Sequence, residues 1–213
     1  MPEHRGRIES IRLIGGSACL DFVNTANGRR TNGSLGSFEE NLCSPNDVAT
    51  WAARANLTTP EEQANLLRAI ASDPASAHTR LTELIAFRDR LYRLFEATVD
   101  GRACADGTAE LNRMLTHTLP YRHIEEAGDG VPFQWNWVQA VTAENLFDRI
   151  LGPVALCAAE LLTGELGRLR LCASDDCDWM FLDTSKSGRR RWCQMDVCGN
   201  RAKARRHARA AGL

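Results

Sequence analysis

Apolar residues recur at three- and four-residue spacing through most of the first 165 positions, the mark of amphipathic helices. Val48, Trp51, Ala52 and Ala55 share one face of a helix opened by Ser44-Pro45-Asn46-Asp47, with an N-cap serine, a proline at the first helical position and an acid in the first turn. Thr59-Pro60-Glu61-Glu62 is a capping box, and the helix behind it carries Leu66, Leu67 and Ile70. The spacing predicts a longer helix over about 76–99, with Leu81, Leu84, Ile85, Leu91, Tyr92 and Phe95 as its stripe, and a shorter one over 106–118. A further helix begins at Thr142, carries Leu146, Phe147, Ile150, Val154, Leu161 and Leu162, and should kink at Gly152-Pro153, where proline removes an intrahelical donor. The period changes to two in Phe133-Gln134-Trp135-Asn136-Trp137. Strands over 121–124 and 131–138, flanking the turn cluster Ala127-Gly128-Asp129-Gly130, therefore predict a half-buried hairpin. Leu20 to Thr25 reads as either a strand or a short helix, and 26–42 reads as a loop.

The glycine-flanked turn Thr163 to Gly167 is the best boundary, dividing 1–165 from 166–213. Beyond it, Cys172, Cys177, Cys193 and Cys198 are spaced C-x4-C-x15-C-x4-C. Two short cysteine pairs supply the four soft ligands that Zn2+ takes in a tetrahedron. Disulfides fit poorly: Met1 to Ser10 is charged and has no apolar signal core, so a reducing cytoplasm is expected. Nor does any stretch approach the ~18 apolar residues that span a bilayer, so no membrane partner is expected. Strands over 169–171, 179–182 and 188–192, a turn at 184–188 and a helix from about Cys198 give a treble-clef-like order. The predicted fold class is α+β: a mainly helical N-terminal domain with a small β-hairpin, then a C-terminal zinc finger. Four cysteines close the sphere around one ion, so the zinc is structural, and the tail should fold and unfold with its metal while the body stands. Cys19, Cys43, Cys104 and Cys157 lie in mixed or apolar contexts and read as buried free thiols.

Charge separates the two parts. From Arg168 onward there are 11 Lys and Arg against 5 Asp and Glu, a formal +6, whereas the remainder carries 15 against 22, a formal −7. An acidic body with a basic zinc-bearing tail points to a polyanion partner, or else to the tail docking on the body. Around the last helix, Ala204, Ala208 and Ala211 form a stripe small enough for close packing, opposite Arg201, Arg205, Arg206 and Arg209 with Lys203 at the edge. Arg189, Arg190 and Arg191 add a basic patch suited to phosphates. Asn200 and Arg201 sit at the helix start, where they either read base edges or serve the module as a cap and a knuckle contact.

Arg88 falls on the apolar stripe of its helix, where a guanidinium needs charged or multiple polar partners. Either it is held in an internal ion pair, with Asp21 a candidate partner, or it marks a pocket for an anionic effector shared with Asn24, Thr25, Trp135 and Trp137. The indoles equally fit a core. His4, His78, His117, His123 and His207 are dispersed and no glycine-rich phosphate loop is present, so catalysis is the least supported class.

Cys198-Gly199-Asn200-Arg201 reads CGNR, and the tail from Leu171 to Arg206 resembles the CGNR-type zinc finger of bacterial proteins. Gly16 to Thr25, with its LDFVNT segment, resembles the ABATE domain that usually precedes that finger. The resemblance implies a stress-induced transcription regulator in which the finger binds DNA and the four cysteines hold zinc. The body would then sense a signal or dimerise, since one small finger offers few base contacts. The rival for the tail is an RNA- or protein-binding module without base readout.

Overall fold

The structure is a computed structural model and describes residues 7–29, 38–126, 130, 132–138, 140–164 and 166–210. Helices α1 (Arg7–Ser10), α2 (Ala18–Val23), α3 (Pro45–Arg54), α4 (Pro60–Ser72), α5 (Pro74–Val99), α6 (Ala105–Thr118) and α7 (Asp148–Thr163) build the body. Two small strand pairs interrupt them, β1 (Ala26–Asn27) with β2 (Glu39–Glu40) and β3 (Arg122–Glu126) with β4 (Phe133–Trp137). The tail holds β5 (Leu169–Leu171), β6 (Met180–Leu182) and α8 (Asn200–Ala210).

Local signals set the helix starts. Ser44 accepts from the Asp47 amide while the Asp47 carboxylate accepts from the Ser44 amide, and Thr59 and Glu62 repeat the exchange at α4. Asp73 caps α5 through the Ser76 amide, so that helix begins at Pro74, two residues before the expected start. Of the ambiguous 20–25 segment, α2 takes the part up to Val23. Part of the expected 26–42 loop is paired, Ala26 with Glu40 and Asn27 with Glu39. The helix expected from Thr142 starts only at Asp148: the Asn145 side chain binds the Thr142 amide and the Ala140 carbonyl, holding that approach irregular. Gly152 and Pro153 both lie within α7. A Cβ at Gly152 would meet the Trp137 ring at 2.8 Å, so glycine is what admits the indole there.

Phe22 of α2 is the hub of the core, with ring centroids 5.2 Å from Trp51 of α3 and 6.3 Å from Phe87 of α5. Helix α7 covers α2 and α6 with Ile150, Val154 and Ala158. The β3–β4 ribbon pairs from Arg122 with Trp137 to Glu126 with Phe133. Of its expected turn, Ala127, Gly128 and Asp129 lie outside the described residues, as does Val131. The alternation is real but its apolar face is not covered as expected: Phe133 is 60% and Trp135 53% exposed, and only Trp137 is half-buried.

The tail does not stand apart from the body. Strands β5 and β6 pair antiparallel, and Leu169 and Met180 are buried in the same core as Phe22 and Trp51. Asn24 spans the seam with two buried bonds, donating to the Met180 carbonyl and accepting from its amide, each at 2.8 Å. The Leu182 amide donates to Gly15 O at 2.8 Å. The expected third strand over 188–192 does not form. Arg190 instead donates its backbone N–H to the Asp183 carboxylate at 2.8 Å, leaving the run irregular. Of the four remaining thiols, expected buried, only Cys19 is: Cys104 and Cys157 are half-buried and Cys43 is exposed. Among the described residues no helix is long and apolar enough to cross a membrane.

Candidate zinc centre and nucleic-acid face

Cys172 follows β5, and the turn Ala173–Asp176 returns Cys177 to it, closed by the Cys177 amide on Ser174 O at 3.0 Å. Cys193 ends the irregular run, and Cys198 lies in a π-helical turn, Met195–Gly199, that leads into α8. All four sulfurs are buried and within 4.8 Å of one another. Cys177 and Cys193 are 3.7 Å apart, and Cys193 and Cys198 3.5 Å. Zn–S bonds of about 2.3 Å in a tetrahedron place sulfurs roughly 3.8 Å apart, so the cage fits one Zn2+. A disulfide would bring a pair to about 2 Å, and all four cysteines are free. The Cys193 amide donates to the Cys172 sulfur at 3.5 Å, the outer support a thiolate ligand needs.

Left to themselves, four thiols this close share protons unevenly. Hydrogen bonding with Cys177 holds Cys172 far below the usual thiol value. Hydrogen bonding with Cys172 pushes Cys177 and Cys193 far above it. A divalent cation resolves the conflict by ionising the whole set. The site therefore carries one structural Zn2+ held by Cys172, Cys177, Cys193 and Cys198, with no ligand position left for a reacting water.

The basic residues divide into two groups. Arg190 is committed to the module: it lies 4.4 Å over the Phe181 ring, donates to Trp192 O at 3.0 Å and also reaches Cys193 O. Arg205 pairs with Asp175 at 3.4 Å and with Asp176, and Arg201 lies 3.8 Å from Asp176. These two acids, between the first ligand pair, were not singled out from the sequence, because only folding brings them to α8. Asn200 is exposed and donates to Asp196 O at 3.0 Å. Arg189, Arg191, Lys203 and Arg206 are exposed, and among the described residues they form no ion pair. The Arg209 side chain lies outside the described residues. Ala204 and Ala208 face solvent instead of packing, and Ala211 is outside the described residues; the half-buried positions of α8 are Ala202 and Arg205.

The residues grouped around Arg88 are not all brought together. Arg88 is fully buried, and its partner is not Asp21. It forms a fork on Glu40 at 2.6 and 2.7 Å, reaches Asp89 at 3.0 and 3.1 Å and donates to Thr25 Oγ1 at 3.2 Å. Burial alone would push this guanidinium down; Glu40 and then Asp89 hold it above its ordinary value. Its five N–H donors are all engaged, which leaves none for an anionic effector. Asn24 belongs to the seam with Met180. Trp135 and Trp137 line a different cavity of about 360 Å³ with Arg122, Asn56 and Arg149.

Asp21 has its own role, accepting from the Gly15 amide at 2.7 Å. Burial raises its carboxyl from the ordinary 3.8 to about 6, against the pull of the Gly15 and Ile14 amides. The folded state therefore holds this proton more tightly than the unfolded chain, and the contribution to stability falls as pH rises from about 4 to 6. Asp21→Asn keeps an acceptor for Gly15 and is expected to remove that slope. It should raise stability at pH 7 by about 1–3 kcal/mol, read from urea midpoints at pH 4.5 and 7.

The chain matches the family model ABATE, described as "Putative stress-induced transcription regulator", over residues 16–165, and the CGNR zinc finger model over 168–210. No curated protein matches. The body match begins at Gly16, one residue past the glycine bound by Asp21 and Leu182, and includes the Asn24 clamp; the finger match encloses all four cysteines. The chain belongs to the ABATE family, and its C-terminal segment is a CGNR zinc finger.

Proposed function

We propose that the protein is a zinc-dependent transcription regulator whose treble-clef-like finger, residues 166–213, binds DNA, and whose body, residues 1–165, senses a signal or dimerises. The observation that carries this reading is the exposed basic set Arg189, Arg191, Lys203 and Arg206 on a module tied to an acidic body. Phosphate contacts need exposed cations outside ion pairs, and these four meet that need, Arg191 while resting 5.3 Å from the Trp192 ring centre. Asn200 and Arg201 are exposed at the start of α8, the usual position for base readout. Arg201 and Arg205 can join only by leaving Asp175 and Asp176.

The zinc-loaded chain is to be incubated with a pool of genomic DNA fragments at physiological salt, and the retained fragments sequenced. A shared motif is expected. Retention without a motif would move the reading to a basic module for RNA or protein. Replacing Arg189, Arg191 and Arg206 together by glutamine should weaken binding uniformly across sequences and lower the slope of log affinity against log salt by roughly 2–3. A slope unchanged by that triple variant would remove these residues from the interface. Light scattering on the same complexes tests dimerisation; a strict monomer on DNA would end that part.

A further inference from the structure

We propose that Cys19 and Cys157 form a peroxide-reactive dithiol that closes a disulfide between α2 and α7. Their sulfurs lie 3.3 Å apart although the residues are 138 positions apart in the chain. Cys19 is fully buried on α2, with the Ser17 hydroxyl 3.4 Å from its sulfur, whereas Cys157 on α7 is half-exposed. That asymmetry matches the two roles a peroxide-reactive pair requires: an accessible attacking thiolate and a sheltered resolving thiol. The hydrogen bond with Cys19 lowers the Cys157 thiol below its ordinary value, which favours a thiolate on the accessible side of the pair. The same bond raises Cys19, which stays protonated until it is needed. Neither cysteine belongs to the zinc cage, and neither has a part in the function proposed above.

The chemistry balances with hydrogen peroxide as oxidant. The Cys157 thiolate attacks one peroxide oxygen; an S–O bond forms, the O–O bond breaks, and the departing hydroxide takes up a proton to leave as water. The Cys19 sulfur then attacks the Cys157 sulfur. An S–S bond forms, the S–O bond breaks, and the hydroxide leaves as a second water with the Cys19 proton. Two thiols and one peroxide give one disulfide and two waters.

Closing the bond pulls on α2, which has little slack. Leu20, Phe22 and Val23 are fully buried, and a Cβ on Gly15 would stand only 2.7 Å from the Leu20 side chain. The last residue before β1 to leave α2 with a seam contact is Asn24, the clamp on Met180, while Gly15 holds Leu182 from the other end. Oxidation at Cys19 is thereby placed one helix away from β6, the strand that leaves the first ligand pair.

The test uses the zinc-loaded full chain with hydrogen peroxide at one to ten equivalents, followed by iodoacetamide, peptide mapping, a chromogenic zinc assay and limited proteolysis across 163–170. The expected result is a Cys19–Cys157 linked peptide before zinc is released, with severalfold faster cleavage between body and tail, both reversed by dithiothreitol. Cys157→Ser should lose the linked peptide and the accelerated cleavage. Cys157 is half-exposed, so this variant should fold, and Cys19→Ala supplies a second that adds no polar group to the core. Zinc release preceding the link, or an unchanged peroxide response in both variants, would overturn the proposal. So would a linked peptide that leaves the cleavage rate unmoved.

Discussion

Arg88→Leu is expected to destabilise the zinc-loaded protein by about 3 kcal/mol, at the lower end of what removing one partner of a buried ion pair costs. All five of its N–H groups have acceptors, and two of those bonds form a fork on Glu40 that fixes β2 against α5. Removing the guanidinium leaves the Glu40 and Asp89 carboxylates facing each other across the space it filled. The effect stays at the lower end because the Asp89 and Glu40 side chains are 38% and 23% exposed and can partly rehydrate. Arg29 also remains within 3.4 Å of Asp89 and stacks 4.4 Å over Tyr92, so one cation is still at hand. Changing Arg88 and Glu40 together to leucine should cost less than the sum of the single changes, since no unpaired carboxylate is then left at β2. Urea midpoints of the two single variants and the double variant measure this. A loss under 1 kcal/mol for Arg88→Leu would show that this cluster contributes little to holding the fold.

The identity of that partner shows where sequence reasoning stops. The N-cap at Ser44 and the capping box at Thr59 are written within four residues, and both form, with Asp47 completing a box at Ser44 as well. The burden on Arg88 was equally legible, because a charge on an apolar stripe must be compensated. Its partner was not: Glu40 is 48 positions away in a glycine- and serine-rich stretch with no periodicity to anchor it. In the same way, alternation at Phe133, Trp135 and Trp137 fixes which side chains share a face but not whether anything covers that face. The zinc cage was readable because ligand number and spacing are imposed by the metal itself. The flank beside it was not, because the Arg190 amide is taken by the Asp183 side chain instead of by a strand partner. Asn24 combines both cases. The sequence places it in a candidate pocket around Arg88, but its role depends on Met180, 156 residues later.

Cys193→Ser is expected to have the largest effect of any single change, releasing zinc and unfolding the tail. Cys193 ties both ligand pairs together: its sulfur lies 3.7 Å from that of Cys177 and 3.5 Å from that of Cys198, and its amide supports Cys172. A serine oxygen is a hard, poorly ionised ligand, and three thiolates alone do not close a structural site. The core around the cage comprises Phe181 and the four cysteines, with Trp179, Trp192 and Ile14 of the body at its edge, too little to hold without the metal's contribution of about 10 kcal/mol. The sequence alone predicts a body that is spared, and the shared core argues otherwise. Leu169 and Met180 are tail residues buried with Phe22 and Trp51, and at ~1.5–3 kcal/mol for each apolar side chain their withdrawal should cost the body several kcal/mol. The seam bonds of Asn24 and Gly15 would be lost with them. The body should therefore keep its helices by far-ultraviolet circular dichroism but unfold at a lower urea midpoint, and chelation of zinc from the unmodified chain should reproduce the shift. A body midpoint unmoved by either treatment would mean that β5 and β6 keep their place in the core without the metal, and that zinc organises only the cage and the basic face beyond it.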